Sequence, residues 1–277
     1  MTVALVTGSN QGLGLALVRK LARDLTDSST VYLTARDEAR GHAAVGTLKS
    51  EGLSPKFHVL DVTSAHSVQT CALHIAREHG GIDIVISNAA ARITKEQTPA
   101  EQIDAFLDTN NLGTHRVIRA FGPLLNDGAR FIVVASGFGS LTHLDPRLHH
   151  LFDTSIATLD EIERVLRDYA AAVHAGTAEA SGWPSWINIP SKIAQVASMK
   201  IFARATAREA RRRGILINAA CPGLVDTAAS RPWFDDMSKA QSPDAAAADV
   251  AWLATLPAGT IEPYGHLVRH RAVLPWR

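Results

Sequence analysis

Short apolar runs rich in β-branched residues alternate along the chain with longer segments whose apolar residues recur every three or four positions. The short runs predict buried strands, and the longer segments predict amphipathic helices. The predicted strands are Val3–Val6, Thr30–Ala35, Phe57–Val62, Ile82–Ala90, Arg130–Gly137 and Ile215–Gly223. Such alternation is typical of α/β proteins that bind ligands along the carboxyl ends of the strands. We therefore predict one domain over residues 1–277, a doubly wound parallel sheet flanked by helices.

Composition and charge argue against several classes of protein. With 46% hydrophobic and 20% charged residues, the 277-residue chain can form a large core. A net charge of +1 gives no electrostatic reason to bind nucleic acid or an anionic membrane. No apolar run approaches the ~20 residues that span a bilayer, and the strand at Val3 leaves no room for a signal peptide. Because Cys71 and Cys221 form no disulfide framework, we expect a cytoplasmic protein.

A glycine-rich turn separates the first predicted strand from the helix that follows it. Backbone N–H groups at the start of such a helix attract phosphate. We expect Gly8 to permit the turn, Gly12 to let the backbone approach a pyrophosphate, and Gly14 to let the helix pack closely on the sheet. The alternative is an ordinary strand–helix turn. The cofactor-binding residues predicted here are Gly8, Asn10, Gln11, Gly12, Leu13 and Gly14.

Residues just beyond later strands extend the predicted cofactor site. Arg36 follows the second strand, where a dinucleotide-binding fold meets the adenosine ribose, and an arginine there suits a 2′-phosphate. This favours NADP(H) over NAD, although a solvated arginine at the start of the next helix is the alternative. Asp61 ends the third strand with a carboxylate that can accept from an adenine amine. Asn88–Ala90 end the fourth with small residues that suit a flat ring.

These motifs resemble those of the short-chain dehydrogenase/reductase family, and most closely its cytosolic carbonyl reductase branch, over nearly the whole chain. The segments that carry the resemblance are Thr7–Gly14, Thr34–Asp37, Leu60–Val62, Ser87–Ala90, Thr109–Asn110, Ser136, Gly182–Ser185, Lys192 and Cys221–Gly223. The resemblance implies a Rossmann-like fold, NADP(H) as cofactor and a last strand over Gly265–Val268. It further implies cofactor contacts from Asp61, Val62, Asn88, Ala89, Ala90, Lys192, Pro222, Gly223, Leu224, Val225 and Thr227.

A segment longer than in most of the family separates Ser136 from Lys192. Within residues 142–181, Asp160–Leu166 has apolar residues at helical spacing, which predicts a helical insertion before the helix that bears Lys192. In the carbonyl reductase branch, the extra segment covers the surface through which other members dimerise. The resemblance therefore implies a monomer.

The resemblance fails at the residue that supplies the proton. In the family, a tyrosine hydroxyl protonates the carbonyl oxygen as hydride arrives, a lysine holds the nicotinamide ribose, and a serine binds the substrate oxygen. The resemblance assigns Ser136, Asn110 and Lys192 to this machinery, but Asn188 occupies the tyrosine position, four residues before Lys192. An asparagine amide is not a general acid, and loss of a general acid costs ~10²–10⁴ in rate. Efficient ketone reduction is therefore not expected.

Asn188 has two interpretations. Because proline is tolerated in the first turn of a helix, Pro190 predicts a helix that begins near Ile189 and makes Asn188 a candidate capping residue. The other interpretation is a polar group that faces the substrate. The remaining candidate proton donors are Tyr169, His143, His149 and His150. No set of residues has metal-ligand spacing.

Two smaller differences from the carbonyl reductase branch concern the residues expected to contact the cofactor and the substrate. Gln11 stands where this branch often has a lysine, which leaves the preference for NADP(H) to Arg36. Residues 231–234, with Trp233 and Phe234, predict either a wide apolar pocket for a hydrophobic small molecule or a packed loop.

Three functions remain open. The first is an NADP(H)-dependent reductase of an iminium or another activated acceptor that needs no tyrosine acid. The second is a non-redox cyclase or isomerase of a natural-product pathway, and the third is a catalytically silent NADP-binding protein. NADPH consumption with a substrate distinguishes the first from the other two.

Overall fold

Eight strands form one sheet in the computed structural model, which describes all 277 residues. The strands are β1 (Val3–Val6), β2 (Thr30–Ala35), β3 (Lys56–Val59), β4 (Ile82–Ser87), β5 (Leu125–Val134), β6 (Leu216–Ala220), β7 (Leu267–Arg269) and β8 (Ala272–Leu274). Their order is β3-β2-β1-β4-β5-β6-β7-β8. The first seven are parallel, which confirms the predicted doubly wound α/β fold. The order reverses between β1 and β4, where such sheets bind ligands.

The predicted last strand, Gly265–Val268, corresponds to β7, and an eighth strand that was not predicted departs from the all-parallel arrangement. β8 pairs antiparallel with β7 through a tight turn at His270 and Arg271. Both residues have positive φ, 48° and 61°. Asn-Gly is the usual signal for such a turn, so this hairpin could not be predicted from the residues at the turn.

Four predicted strands extend too far at their carboxyl ends. The structure ends β3 at Val59, β4 at Ser87, β5 at Val134 and β6 at Ala220. After β3, β5 and β6 the next residue still donates one backbone hydrogen bond to the neighbouring strand, whereas after β4 the Asn88 N–H donates to the Thr7 hydroxyl. The residues beyond these ends, which include Ser136, are therefore free to face the binding cleft.

Eight α-helices cover both faces of the sheet. They are α1 (Gly12–Asp24), α2 (Glu38–Ser50), α3 (Ala65–His79), α4 (Pro99–Leu107), α5 (Gly113–Phe121), α6 (Leu159–His174), α7 (Asn188–Arg213) and α8 (Pro243–Ala254). A π-helical turn, Asp108–Leu112, joins α4 to α5. Alternate residues of β1 belong to the two core clusters on opposite faces, so the strand is buried on both sides. No helix has both the length and the apolar character needed to cross a membrane.

The segment 142–181 forms a third core cluster beside the sheet. Its helix α6 includes the predicted helical residues and begins with a capping box between Thr158 and Glu161. Ile162 and Leu166 are buried in the same cluster as Phe106 of α4 and Ile201 of α7. The segment therefore packs directly against the helix that carries Lys192.

A buried histidine ties α6 to the rest of the domain. His115 on α5 has no exposed side-chain surface, and its Nδ1 and Nε2 lie 3.0 Å from Glu163 Oε1 and 2.6 Å from Ser198 Oγ. Burial lowers the pKa of His115, although Glu163 opposes that shift. The hydrogen bond from His115, together with Arg119, holds the pKa of the Glu163 carboxyl at about 2. The Glu163 carboxylate therefore links α6 to α5 through His115 and Arg119.

We expect Glu163→Ala to lower the free energy of unfolding by about 1–3 kcal/mol, because it leaves a buried imidazole nitrogen without a partner. Urea unfolding at neutral pH measures this change. The control is Asp160→Ala, which removes a largely exposed carboxylate of the same helix and should leave the stability nearly unchanged. Equal stability of the two variants would show that His115 does not depend on Glu163.

Candidate functional site

The glycine turn adopts the conformations that its sequence predicts. Gly8 and Gly12 have φ values of 60° and 54°, a region that favours glycine. A Cβ on Gly14 would lie 2.5 Å from Gly8 O, so only glycine lets α1 approach the turn this closely. Gln11 precedes α1 without a side-chain cap, which leaves the first N–H groups of the helix available for phosphate oxygens.

The end of β4 is fastened to this turn. The Asn88 amide donates to Thr7 O at 2.9 Å and Gly8 O at 3.2 Å, and the backbone N–H groups of Asn88 and Ala89 donate to Thr7 Oγ1. A Cβ on Gly8 would lie 2.7 Å from Ala89 Cα. The Asn88 amide therefore has a structural role in addition to the predicted cofactor contact.

The two residues predicted to bind the adenosine end have free polar groups. Arg36 is exposed after β2 and forms no ion pair, while Asp37 rather than Arg36 caps α2. Asp61 Oδ1 accepts from the backbone and the hydroxyl of Thr63, at 3.0 and 2.8 Å. The Asp61 Oδ2 atom and the Arg36 guanidinium thus remain available to a ligand.

A cavity of about 710 Å³ lies at the carboxyl ends of the central strands. All predicted catalytic residues line it, namely Asn110, Ser136, Asn188 and Lys192. The predicted cofactor residues Leu13, Asn88, Ala90, Gly223, Leu224, Val225 and Thr227 also line it. Those that do not are Gly8, Asn10, Gln11, Gly12, Gly14, Arg36, Asp61, Val62, Ala89 and Pro222, which belong to the glycine turn or to adjoining loops.

Asn188 is the first residue of α7 and lines the cavity. The cap is Ile187, and the Asn188 amide forms no hydrogen bond within the chain. The interpretation of Asn188 as a capping residue is therefore wrong, because α7 begins one residue earlier than predicted, with Pro190 still in its first turn. The amide is free to contact a ligand.

Ser136 is held against the start of α7. Its Oγ accepts from Phe138 N at 3.3 Å as the cap of a short 3₁₀ turn. In that turn, Gly139 packs so closely on α7 that a Cβ would lie 2.6 Å from Val196 Cγ2. The Ser136 hydroxyl can still donate to a substrate oxygen in the cavity.

Lys192 lies one helical turn after Asn188 and donates to Gln195 Oε1 at 2.8 Å. Burial lowers the pKa of its ammonium to about 8.

Asn110 contributes to the site mainly through hydrogen bonds that its backbone carbonyl and its Oδ1 atom accept. Its carbonyl accepts from Gln195 and Thr114, and its Oδ1 accepts from Ala91 N at 2.7 Å. Gln195 was not predicted to belong to the site, because its only signal in the sequence is its position three residues after Lys192.

Aromatic rings form much of the remaining wall. Phe138 and Trp186 meet edge to face with ring centroids 5.2 Å apart, and Trp233 lies 5.9 Å from Trp186. Trp233 and Phe234 both line the cavity, so the structure favours the pocket over the packed loop. The charged lining side chains are Arg92, Lys192 and Arg269, and no carboxylate is among them.

Most of the alternative proton donors do not reach the cavity. None of the three tyrosines lines the cavity, and Tyr169 is buried against Trp183, where burial raises the pKa of its hydroxyl. His149 and His150 bond to backbone carbonyls and also lie outside the lining. Only His143 reaches the cavity, with its ring 5.4 Å from that of Phe138. No group of three or more His, Cys, Asp or Glu side chains is arranged to hold a metal ion.

Comparison with known proteins gives one consistent result. Residues 2–144 match the family model described as short chain dehydrogenase. The chain is 36% identical to carbonyl reductase [NADPH] 1 of Macaca fascicularis over 278 residues, which covers 99% of this chain and 98% of that protein. The Rattus norvegicus protein of the same name is 34% identical with the same coverage. Salutaridine reductase from Papaver somniferum has a TM-score of 0.81 and 25% identity, over 96% of this chain and 99% of that one.

Proposed function

The chain belongs to the short chain dehydrogenase family, and we propose that it is an NADP(H)-dependent reductase of a hydrophobic small molecule. The observation that carries this proposal is that Ser136, Asn188 and Lys192 line one partly aromatic cavity together with Asn88 and Ala90 at the end of β4. The phosphate-binding turn adjoins that cavity. The carbonyl reductases at 34–36% identity carry NADPH in their names, which also supports the proposal.

The residues present fit a dinucleotide. The uncapped start of α1 would hold the pyrophosphate, Arg36 a 2′-phosphate, and Lys192 the nicotinamide ribose. When bound, the nicotinamide supplies a hydride. The chain itself supplies the apolar cavity that orients the acceptor, the Ser136 hydroxyl that binds its polar atom, and the Asn188 amide as a further donor or acceptor.

We expect Arg36→Ala to weaken NADPH binding about ten-fold and to leave NADH binding unchanged, because it removes charge-assisted hydrogen bonds to the 2′-phosphate. Fluorescence titration with each cofactor measures the change. Lys49→Ala removes an exposed cation at the opposite end of α2 and is the matched control. A parallel loss of affinity for both cofactors would argue against a contact between Arg36 and the 2′-phosphate.

The proposed substrate is an acceptor that is already activated. Ketone reduction produces an alkoxide that must be protonated, and we infer that Asn188 replaces the tyrosine that would protonate it. Hydride addition to an iminium carbon neutralises a cation and needs no acid at the reacting atom. The lining has no carboxylate and carries the cations Arg92, Lys192 and Arg269, so attraction for an iminium would have to come from aromatic rings. The candidates are Phe138 and Trp186, because Lys95 Nζ already lies 5.6 Å over the ring of Trp233.

The experiment combines NADPH binding with NADPH oxidation by a panel of simple ketones, quinones and cyclic iminium ions. We expect tight NADPH binding, measurable oxidation by the activated acceptors, and very slow oxidation by the ketones. Binding without oxidation by any acceptor would favour a non-redox cyclase or isomerase, or a silent binding protein. Absence of NADPH binding would overturn the proposal.

We further propose a cytoplasmic monomer. The support is the position of α6, which packs against α4 and α7 through the third core cluster and so covers part of their outer surface. Both cysteines are free and buried, in keeping with a reducing compartment. Light scattering of the purified protein tests the monomer, and a dimer at micromolar concentration would contradict it.

A further inference from the structure

The side chain of Gln195 is a buried amide at the base of the candidate site. It lies on α7, one turn beyond Lys192, and is 2% exposed. A buried amide is costly unless its polar atoms are bonded, and here both are. Its Oε1 accepts from Lys192 Nζ at 2.8 Å, while its Nε2 donates to Asn110 O at 2.8 Å and lies 3.4 Å from Thr114 Oγ1.

The orientation of this amide follows from its partners. The carbonyl oxygen of Asn110 can only accept and an ammonium group can only donate. The NH₂ group of Gln195 must therefore face Asn110, and the oxygen must face Lys192. A rotated amide would set two acceptors against each other and two donors against each other.

The bond to Asn110 anchors Lys192 to a different part of the fold. Asn110 lies in the π-helical turn between α4 and α5, and its Oδ1 accepts from Ala91 N in the cavity wall after β4. A second pair of hydrogen bonds, between Asn111 and Ser191, fastens the same turn to the first turn of α7. Gln195 thus connects the Lys192 ammonium with a part of the cavity wall that is itself hydrogen-bonded to β4 and α7.

We propose that Gln195 is a positioning residue that fixes the Lys192 ammonium in the cavity through its bonds to Lys192 Nζ and Asn110 O. This inference rests on the proposed function for its consequence, namely that the fixed ammonium holds the cofactor. Because an amide oxygen is neutral, it orients the ammonium and stabilises the charged form less than a carboxylate would. The other titratable or charged side chains along the cavity are Cys221, His143, Arg92 and Arg269.

The test is Gln195→Met, which keeps a similar volume and removes both polar groups. Loss of the acceptor disfavours the ammonium, so the pKa of Lys192 should fall from about 8 by about one unit. Competitive labelling with acetic anhydride over a range of pH, followed by peptide mass spectrometry, reports the Lys192 pKa without any cofactor. In parallel, the pH at which NADPH affinity declines should fall by a similar amount.

Ser198→Ala is the matched control. Ser198 is another buried polar residue of α7, bonded to His115 and the Ala194 carbonyl, with no contact to Lys192. We expect this variant to lose stability without a change in the labelling pH of Lys192. An unchanged labelling pH in Gln195→Met, or an equal shift in both variants, would overturn the positioning role. Failure of the unaltered protein to bind NADPH would refute the proposed function, while the labelling would still decide the role of Gln195.

Discussion

Asn188→Tyr is expected to raise kcat/KM for ketone reduction by about 10²-fold or more, because it supplies a general acid. Asn188 is the first residue of α7, lines the cavity and has no hydrogen bond to lose. It lies one helical turn before Lys192, so a tyrosine there would share a helix face with the ammonium. That positive charge would lower the pKa of the new hydroxyl and favour proton transfer to the carbonyl oxygen.

The variant Asn188→Phe distinguishes the effect of the tyrosine hydroxyl from the effect of the aromatic ring. It adds the same aromatic bulk next to Trp186 without an acidic group, so it should remain as slow with ketones as the natural chain. Steady-state NADPH oxidation by a series of ketones compares the three proteins. If the natural chain already reduces ketones rapidly, another group such as His143 supplies the proton, and the proposed role of Asn188 is wrong.

Gly14→Ala is expected to weaken NADPH binding by about 10²-fold, an effect that corresponds to the cost of an overpacked methyl group. The added Cβ would lie 2.5 Å from Gly8 O and 2.7 Å from both Ser9 Cα and Asn88 Nδ2. Two of these atoms are backbone, so relief of the clash requires α1 to move away from the glycine turn. The N–H groups at the start of α1 would move with it.

Gly46→Ala is the control for this substitution. Gly46 lies on α2, and a Cβ there has no neighbour within 4 Å. Alanine should stabilise that helix slightly and leave cofactor binding unchanged. Fluorescence titration and circular dichroism on both variants separate lost binding from lost folding. A folded Gly14→Ala protein with normal affinity for NADPH would show that the close packing of α1 is not needed for the phosphate site.

The layout of the fold could be predicted from local patterns in the sequence. Parallel strands buried on both faces are short continuous apolar runs, and those of β1, β2 and β4 mark positions that the structure retains. The glycine turn was equally predictable, because positive φ at Gly8 and Gly12 and the contact at Gly14 leave few other residues possible. The β7–β8 hairpin was not, since His270 and Arg271 are unusual in a turn that needs two positive φ values.

The site was determined only in part by the sequence. Spacing placed Asn188 one helical turn before Lys192, and the family resemblance added Ser136 to them, but whether Asn188 capped α7 or faced the cavity depended on where that helix begins. The burial of Tyr169 beside Trp183 and the bond from Gln195 to Asn110 join residues far apart in the chain. Such contacts depend on packing between helices rather than on any local periodicity. The sequence by itself therefore determined the parallel part of the sheet, the glycine turn and the absence of a tyrosine before Lys192. Only the tertiary structure decided which polar atoms are free to act, because that depends on how distant segments satisfy one another's hydrogen bonds.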